Sequence, residues 1–439
     1  MLFWPRAGNC FPSLVTNVLY NTTLSDVETC YKLFERRLAR VLRTGGRIGE
    51  GPSPSPAGNC IREGEASMRV GLNAEPLFQR VPTGVGVYAL SLCRGLVETG
   101  HAGDLVLFHA AHDEALPELQ ALPVEQWSFG LARDRLYDVW MSDRRPPPQS
   151  ACGDLDIVHS TGPAIPPPGG AALVVTVHDL APIRFPDRYP RRARSVYKRG
   201  AVIADAEAAR IITPSRSTAL DVEEFYGVER ERIRVVPHGV DMSDLGIHDA
   251  EELWARRGIS EPYVLWVGTQ EQRKNVLGVL DAFTLLAPNH PQLSLVLHGP
   301  NGWLGDEVGE GLRQRDIHSR TIVSEGSLPR SELAALYARA TVFVYPSLYE
   351  GFGMPVLEAM ACGTPVVTSN ISALPETAGD AALLVDPLDD AAMAEAIGRI
   401  IDDPTVREDL ARRGQKRAAG FTWAETARKT WAIYEEVCA

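Results

Sequence analysis

The sequence predicts an α/β protein with two doubly wound domains, each built on a mostly parallel sheet. Short apolar runs alternate with helical stretches along most of the chain, and these runs are apolar almost throughout. Strands of that kind are buried on both faces, as in a parallel sheet whose crossovers are helices. A length of 439 residues exceeds what one hydrophobic core usually serves, so two domains are expected.

The predicted strands divide the chain into two similar halves. In the first half they cover 68–74, 105–110, 156–160, 172–179, 210–215 and 233–239. In the second half they cover 263–268, 293–299, 321–326, 341–347, 364–369 and 381–385. Because open sheets bind ligands at the carboxyl ends of their strands, two sheets that face each other would share one cleft. We therefore expect function in the loops that follow the strands.

The domain boundaries follow from the segments between and after these strands. The polar, turn-rich segment 238–249 separates the two sets, so we predict a first domain over 68–243 and a second over 244–420. Residues 421–439 place apolar side chains at helical spacing, which predicts an amphipathic helix that packs back towards the first domain.

Residues 1–67 differ from the rest of the chain. Segment 45–60 is rich in Gly, Pro and Ser and has neither a helical nor a strand period, so we predict disorder. An apolar strand begins abruptly at Met68, which favours Met68 as the true start and residues 1–67 as a start-site artefact. A genuine flexible tail is the alternative.

Composition and charge disfavour several classes of function. The formal charge of −12 argues against nucleic-acid binding, which relies on an excess of Lys and Arg. No run reaches the roughly 18 apolar residues of a membrane-spanning helix, and the amino terminus lacks the layout of a secretory signal. Seven cysteines without a CxxC pair favour a reducing cytoplasm over disulfides or a zinc site, so we assign no metal.

The stretch YPSLYEGFGMPVLEAMACGTPVV, residues 345–367, carries the strongest chemical signal. Glu350 lies in a loop between a strand and a short helix, and Glu358 lies on the helix. Gly351 and Gly353 give a backbone without Cβ that leads into the helix N–H groups, a junction suited to a phosphate. The two oxygens of Glu358 suit a vicinal diol such as ribose. The alternative is an ordinary loop carboxylate and a partner of the helix dipole.

A pair of cations follows the first strand of the second half. Arg273 and Lys274 precede a helix at the carboxyl end of this strand. A diphosphate needs cations beyond a helix end, so this pair is a candidate clamp. Solvated loop charges are the alternative.

The first half offers weaker signals. Gly84 and Gly86 open a helix after the first strand, but the third glycine of the dinucleotide fingerprint is missing, which disfavours a hydride-transfer cofactor. His178 and Asp179 end a buried strand, where a core histidine is the alternative.

A basic segment follows this strand end. Residues 184–200 carry seven basic residues against one acid, which indicates a patch for an anionic acceptor or a membrane surface. The acceptor candidates are Asp179, Arg184, Arg191 and Arg192, and a solvated helix face is the alternative.

Taken together, residues 68–438 resemble retaining glycosyltransferase family 4, whose GT-B architecture places two Rossmann-like domains face to face. Glu350 and Glu358 match its E-x7-E motif, GTQEQRKN its diphosphate clamp and TGVGVY its amino-domain glycine loop. Many members have an arginine directly after the glycine of the clamp. Thr269 takes that place here, and Arg273 resembles the variant of bacterial mannosyltransferase-like members.

The resemblance implies a nucleotide diphosphate-sugar donor, with GDP-mannose favoured over UDP- or ADP-sugars, no cofactor, no metal requirement and retention of configuration. By analogy Glu358 holds the ribose, Glu350 holds the donor sugar, Arg273 and Lys274 stabilise the leaving diphosphate, and His178 approaches the sugar. The implied donor-binding residues are Gly84, Gly86, Gly268, Gly299, Gly351, Phe352, Gly353, Met354 and Glu358.

The resemblance also implies a glycan, lipid-linked or small-molecule acceptor and a cytoplasmic enzyme, with peripheral contact to the inner face of the membrane through 184–199. Two alternatives remain open. One is a catalytically silent sugar-nucleotide-binding or scaffold protein, and the other is a phosphorylase or hydrolase of the same architecture.

Overall fold

The computed structural model describes residues 68–79, 84–241, 254, 257–302 and 306–439. The predicted extension 1–67, most of the predicted domain joint and the first residues of the glycine loop lie outside the described residues.

The first sheet has seven parallel strands in the described residues. They are Val70–Asn73 (β1), Leu105–Ala111 (β2), Glu125–Ala132 (β3), Ile157–Ser160 (β4), Ala172–Thr176 (β5), Ala208–Thr213 (β6) and Ile233–Val235 (β7). Their order is β3-β2-β1-β4-β5-β6-β7. The strand order reverses between β1 and β4, and such a reversal creates a ligand-binding crevice at the carboxyl ends.

The second sheet has six parallel strands in the described residues. They are Tyr263–Val267 (β8), Ser294–Gly299 (β9), Thr321–Glu325 (β10), Val342–Tyr345 (β11), Val366–Ser369 (β12) and Leu383–Val385 (β13). Their order is β10-β9-β8-β11-β12-β13, so the reversal lies between β8 and β11. These two sheets confirm the predicted fold class.

Helices cover both sheets. Those of the first half are Gly84–Glu98 (α1), Pro117–Gln120 (α2), Arg133–Ser142 (α3), Gln149–Cys152 (α4), Ala181–Arg184 (α5), Arg191–Glu207 (α6) and Arg216–Tyr226 (α7). Those of the second half are Val276–Leu286 (α8), Glu307–Gln314 (α9), Arg330–Ala338 (α10), Met354–Ala361 (α11), Leu374–Ala378 (α12), Asp390–Asp402 (α13), Pro404–Ala418 (α14) and Trp423–Cys438 (α15). Among the described residues, no helix has the length and apolar character needed to cross a membrane.

Strand β3 was missed by sequence reasoning. Its residues, EQWSFGLA, mix exposed and half-buried positions with one buried residue, Phe129. It lies at the edge of the sheet and pairs only with β2. An edge strand is not buried on both faces, so it lacks the continuous apolar run by which the other strands were identified.

The last helix, α15, packs against α1 beside the first sheet. Gly95 of α1 permits the close approach, because a Cβ there would lie 2.7 Å from the carbonyl oxygen of Trp423. The hydroxyl of Tyr434 reaches Nδ1 of His159 in β4 at 2.6 Å. Helix α15 therefore lies against the first sheet, although it follows the strands of the second sheet in the sequence.

Candidate active site

The loop between β11 and α11 holds Glu350 in a fixed, buried position. Its Oε1 accepts hydrogen bonds from Lys274 Nζ at 2.5 Å, Ser347 Oγ at 2.8 Å and the Tyr345 hydroxyl at 2.9 Å. Its Oε2 lies 3.2 Å from Nη1 of Arg273. Glu350 is 7% exposed. A carboxylate with this many donors has little freedom to rotate.

The two predicted cations lie in the turn that follows β8, against the same loop. The backbone carbonyl of Arg273 accepts from the backbone N–H of Leu348 at 2.8 Å and from Ser347 Oγ at 3.0 Å. Nη1 of Arg273 donates to the carbonyl of Tyr349 at 2.7 Å. Because β8 and β11 are neighbours in the sheet, the loops that follow them meet. The structure therefore brings Arg273, Lys274 and Glu350 together.

The charges in this group depend on one another. Burial opposes ionisation of Glu350, but Lys274 and Arg273 outweigh it and lower the pKa of the carboxyl to about 2. Burial and the neighbouring Arg273 lower the pKa of Lys274, while Glu350 acts in the opposite direction. Glu271 lies 3.5 Å from Nη2 of Arg273. The two cations Arg273 and Lys274 are therefore matched by the two carboxylates Glu271 and Glu350 within the protein itself.

Helix α11 begins directly at this loop. Gly353 precedes it with a φ of +100°, a left-handed conformation that suits glycine. The half-buried Met354 is the first helical residue, and Pro355 in the first turn has no N–H to leave unpaired. No side chain caps the helix start, and the N–H of Val356 donates to the carbonyl of Gly353 at 3.0 Å, which leaves the N–H of Met354 open to an anion.

Glu358 lies one turn into α11. Its Oε2 accepts a hydrogen bond from the hydroxyl of Tyr337 at 3.1 Å, and burial raises its pKa. Unlike Glu350, this carboxylate has no ion-pair partner within 4 Å among the described residues. It therefore retains capacity for further hydrogen bonds.

The first domain touches the loop at Gly351. A Cβ on this residue would overlap the backbone carbonyl oxygen of His178 and lie 2.9 Å from Cβ of Asp179. The carbonyl of Gly351 accepts from Ser215 Oγ at 2.6 Å and from Thr218 Oγ1 at 3.0 Å. Only glycine permits this contact between the domains. A cavity of about 20 Å³ beside His178 is lined by first-domain residues.

The imidazole of His178 is turned away from Gly351. Its Nε2 is 2.9 Å from the carbonyl of Thr161 and therefore carries a proton. Its Nδ1 is 3.2 Å from Nε2 of His238. Burial lowers the pKa of both histidines, and His178 further lowers that of His238. Both rings are neutral at pH 7, and the backbone carbonyl is the part of His178 that faces the loop.

The remaining predicted donor residues occupy different places. Gly268 follows β8, and Gly299 is the last residue of β9. A Cβ on Gly299 would overlap the carbonyl of Gly268. Phe352 packs against His238 and Phe421, with ring centroids 5.2 and 5.9 Å apart.

The predicted glycine loop enters α1. Gly84 is the first residue of α1, and a Cβ there would meet nothing within 4 Å among the described residues. A Cβ on Gly86 would lie 3.0 Å from the carbonyl of Pro76.

The predicted acceptor residues do not form one cluster. Asp179 accepts from the backbone N–H of Ala181 at 3.0 Å. Arg184 pairs with Asp221 and lies over the ring of Tyr349. Arg191 is exposed at the start of α6, and Arg192 contacts Asp134 and Asp138 on α3, each at 3.3 Å.

Sequence reasoning missed the hydroxyls that hold Glu350. Tyr345 and Ser347 precede it by five and three residues, within the quoted stretch, so a search for donors in the same loop could have found them. Sequence reasoning also missed Tyr349. Its hydroxyl donates to Asp221 at 2.7 Å and accepts a hydrogen bond from the backbone N–H of Leu180 at 3.1 Å. No local pattern predicts contacts between residues so far apart in the chain.

A second polar cluster lies at the carboxyl ends of β1 and β2. The ligand atoms of Glu75, His109 and His112 lie within 4.8 Å of one another. Glu75 is fully buried and accepts from Arg133 Nε and His112 Nε2 at 2.5 and 3.0 Å. Since Arg133 already neutralises the carboxylate, a divalent cation would have to displace it.

This geometry suits the binding of an anion and stabilisation of charge that develops on it. Three features converge at the reversal point of the second sheet: the helix start with the N–H of Met354, the cations Arg273 and Lys274, whose side chains are 11% and 12% exposed, and the fixed carboxylate of Glu350. The oxygens of Glu350 are occupied by donors, which makes it a positioning group and a poor nucleophile.

Two family models match the chain. Residues 82–244 match the model described as Glycosyltransferase Family 4, and residues 252–417 match the model described as Glycosyl transferases group 1. The first range lies in the first domain, and the second contains Arg273, Lys274, Glu350 and Glu358.

The chain is also similar to whole proteins. It is 29% identical to the O-antigen chain mannosyltransferase B of Escherichia coli, over 84% of this chain and 100% of that protein. It is 33% identical to the MMP alpha-(1->4)-mannosyltransferase of Mycolicibacterium hassiacum, over 65% of this chain and 72% of that protein. The structure of Anabaena HepE in complex with UDP-glucose matches with a TM-score of 0.65 and 17% identity, over 84% of this chain and 100% of that one. At such identity the structural match shows the fold alone.

Proposed function

The chain belongs to glycosyltransferase family 4, and we propose that it is a retaining hexosyltransferase that moves mannose from a nucleotide diphosphate donor to a glycan or lipid-linked acceptor. The observation that supports this most is the ion-paired group of Arg273, Lys274 and Glu350 beside the start of α11. These donors suit the diphosphate of an activated sugar.

The proposed reaction passes through an oxocarbenium-like state. As the bond between the sugar and the diphosphate breaks, negative charge grows on the leaving phosphate, so Arg273 and Lys274 contribute most in the transition state. Glu350 is held too tightly by Lys274, Tyr345 and Ser347 to act as a covalent nucleophile. The paired close carboxylates of retaining glycosidases work differently, because one of them is free to attack the sugar.

The donor is proposed to be GDP-mannose. The names of two relatives specify mannose, whereas HepE was solved with UDP-glucose, so UDP- and ADP-sugars are the alternatives. Glu358 has free hydrogen-bonding capacity one turn from the helix start, which suits ribose hydroxyls shared by all these donors. No metal is proposed for the transfer, in line with what the family resemblance implies.

The acceptor is proposed to bind on the first domain beside the basic segment 184–199. Arg191 and Lys198 are exposed there, so they suit an anionic lipid surface or a phosphorylated acceptor. On this proposal the enzyme works in the cytoplasm, with peripheral contact to the membrane.

One pair of assays tests the proposal. GDP, UDP and ADP are compared by thermal shift, where the donor's nucleotide should raise the melting temperature most. The full chain is then incubated with labelled GDP-mannose, UDP-glucose and ADP-glucose and a membrane extract, with and without EDTA. We expect α-linked labelled mannose in the glycolipid fraction in both cases. A nucleotide shift without transfer would instead support a silent binding protein, and release of free mannose or mannose 1-phosphate would support a hydrolase or phosphorylase.

A further inference from the structure

A cavity lies where α14 ends and α15 begins, and Glu350, Arg273 and Lys274 are not among the residues that line it. Its volume is about 650 Å³, within the range of about 300–1,000 Å³ that is typical of ligand pockets. Its walls come from α14, α15 and the turn at Gly420 that joins them. The cations that line it are Arg412, Arg413, Lys416, Arg417 and Lys429.

Carboxylates near this cavity do not balance its cations. Arg412 and Arg413 share one carboxylate, Asp409, at 2.5 Å each. Lys429 lies 3.4 Å from Glu425, which Arg428 also contacts. Within the described ranges, Lys416 has no ion-pair partner. The local excess of positive charge contrasts with a formal charge of −12 for the whole chain.

One donor in the cavity wall is unsatisfied. Nε of Arg413 is buried and has no hydrogen-bond partner among the described residues, while its Nη1 donates to the carbonyl of Asp380 at 2.7 Å. Buried N–H groups usually have a partner, which is an ion or water where no protein group serves. The Arg413 side chain as a whole is 36% exposed, so an anion or water can reach it.

The cavity is connected to the candidate active site through Arg417. This side chain lines the cavity and donates to the carbonyls of Glu376 and Thr377 at 2.5 and 3.0 Å. Oγ1 of Thr377 donates to the carbonyl of Phe352 at 2.5 Å. The carboxylate of Glu376 accepts hydrogen bonds from the backbone N–H groups of Arg216 and Ser217, the first two residues of α7 in the first domain. A ligand that reorients Arg417 would therefore act on both the Glu350 loop and the contact between the domains.

We propose that this cavity is a binding site for a small anion with two or more phosphate groups, and that its occupancy acts on the Glu350 loop. Several cations around one volume require more than one negative charge, and arginine side chains match phosphate oxygens geometrically. The proposal goes beyond the transfer reaction and does not depend on the identity of the donor.

Calorimetry with inorganic tripolyphosphate tests this site. The full chain is titrated as wild type, as Lys274→Ala and as the double variant Lys416→Gln/Lys429→Gln. Both lysines of the double variant are exposed, so folding should be unaffected. We expect the double variant to bind about tenfold more weakly. Lys274→Ala should leave this binding unchanged, and added salt should weaken it.

The control removes the same charge elsewhere. Arg135→Gln on α3 is exposed and should bind tripolyphosphate like the wild type. Equal weakening by Arg135→Gln would show non-specific attraction, and loss only in Lys274→Ala would place the anion at the donor clamp. Either result would overturn the proposal. So would binding to phosphatidylglycerol vesicles through Lys416 and Lys429 without binding to tripolyphosphate, because the ligand would then be a membrane surface.

Discussion

The two domains contribute to the candidate active site in different ways. The second domain supplies a continuous stretch, 345–367, and a two-residue turn that is bound to it by backbone hydrogen bonds. The first domain supplies single groups from distant segments, such as the carbonyl of His178 and the hydroxyl of Ser215. The chemistry of the second domain is therefore local in sequence, whereas that of the first depends on packing.

This difference makes the two halves sensitive to different changes. In the second domain the charges themselves carry the expected function, because Arg273 and Lys274 lie directly against Glu350. In the first domain the expected function depends on how closely its backbone packs against the second domain, because the contact at Gly351 leaves no room for a side chain. The following predictions test this contrast, from the largest expected effect to the smallest.

Loss of a cation in the second domain should have the largest effect. Lys274→Ala removes the 2.5 Å contact with Glu350 and should lower kcat by roughly 10²- to 10³-fold, the effect of losing a preorganised charge contact. Arg273→Ala should behave similarly. Steady-state transfer measures this, with Arg135→Gln, at an exposed position outside the basic segment, as the charge control. Near-native transfer by Lys274→Ala would show that the clamp assignment is wrong.

A methyl group at the contact between the two domains should have the second largest effect. Gly351→Ala places a Cβ against the carbonyl of His178, so the domains cannot close fully and kcat/KM should fall by about 10²-fold, as expected for displaced reacting groups. Gly130→Ala is the control, because a Cβ there meets nothing within 4 Å among the described residues. Equal activity of the two variants would mean that this contact is not used in catalysis.

The first domain should lose stability in acid. Burial lowers the pKa of His159 to about 3, and it also lowers that of His178 and His238. Below the ordinary pKa of about 6.5 these histidines bind more protons in the unfolded chain than in the folded chain, so the stability they contribute is present above pH 6.5 and is lost as pH falls.

His159 should contribute a loss of about 2 kcal/mol between pH 6.5 and pH 5, because its pKa in the folded chain lies below this range. Chemical unfolding of wild type and His159→Gln at these two pH values measures the effect. A smaller loss in the variant is expected, and an identical loss would contradict the assignment of His159 as a buried neutral group.

Glu358 should affect donor binding more than turnover. Glu358→Ala removes the free carboxylate oxygens and should weaken binding of the nucleoside diphosphate about tenfold, the value of a charge-assisted hydrogen bond. Calorimetry measures this. Tyr337→Phe is the matched control, because it removes the 3.1 Å hydrogen bond to Glu358 and leaves the carboxylate in place. Unchanged affinity of Glu358→Ala would exclude the ribose role.

The smallest effects should come from the basic segment. Arg191→Gln removes an exposed charge and should raise KM for a lipid-linked acceptor about two- to threefold at low salt. Arg184→Gln should instead lower kcat by a few fold, because Arg184 supports Asp221, which accepts from Tyr349 beside Glu350. If Arg184→Gln changes only KM, the acceptor role predicted for it from the sequence is favoured.

The sequence predicted the second domain's candidate site more completely than the first domain's. The strand, loop and helix around Glu350 follow one another in the chain, so periodicity and glycine placement were enough to locate them. Arg273 and Lys274 could be added because β8 precedes them and parallel strands end at the same edge. The approach of the His178 ring to the sugar stays a prediction, and in the structure the ring contacts Thr161 and His238.

By itself, the sequence determined the α/β class, the two parallel sheets and the family, because these depend on apolar periodicity and short motifs within single segments. Only the tertiary structure decided which groups satisfy Glu350, that His178 offers its carbonyl to Gly351, and that Arg184 pairs with Asp221. The physical reason is that hydrogen bonds and close backbone contacts between distant segments depend on distances of a few tenths of an ångström, which the packing of the two domains sets.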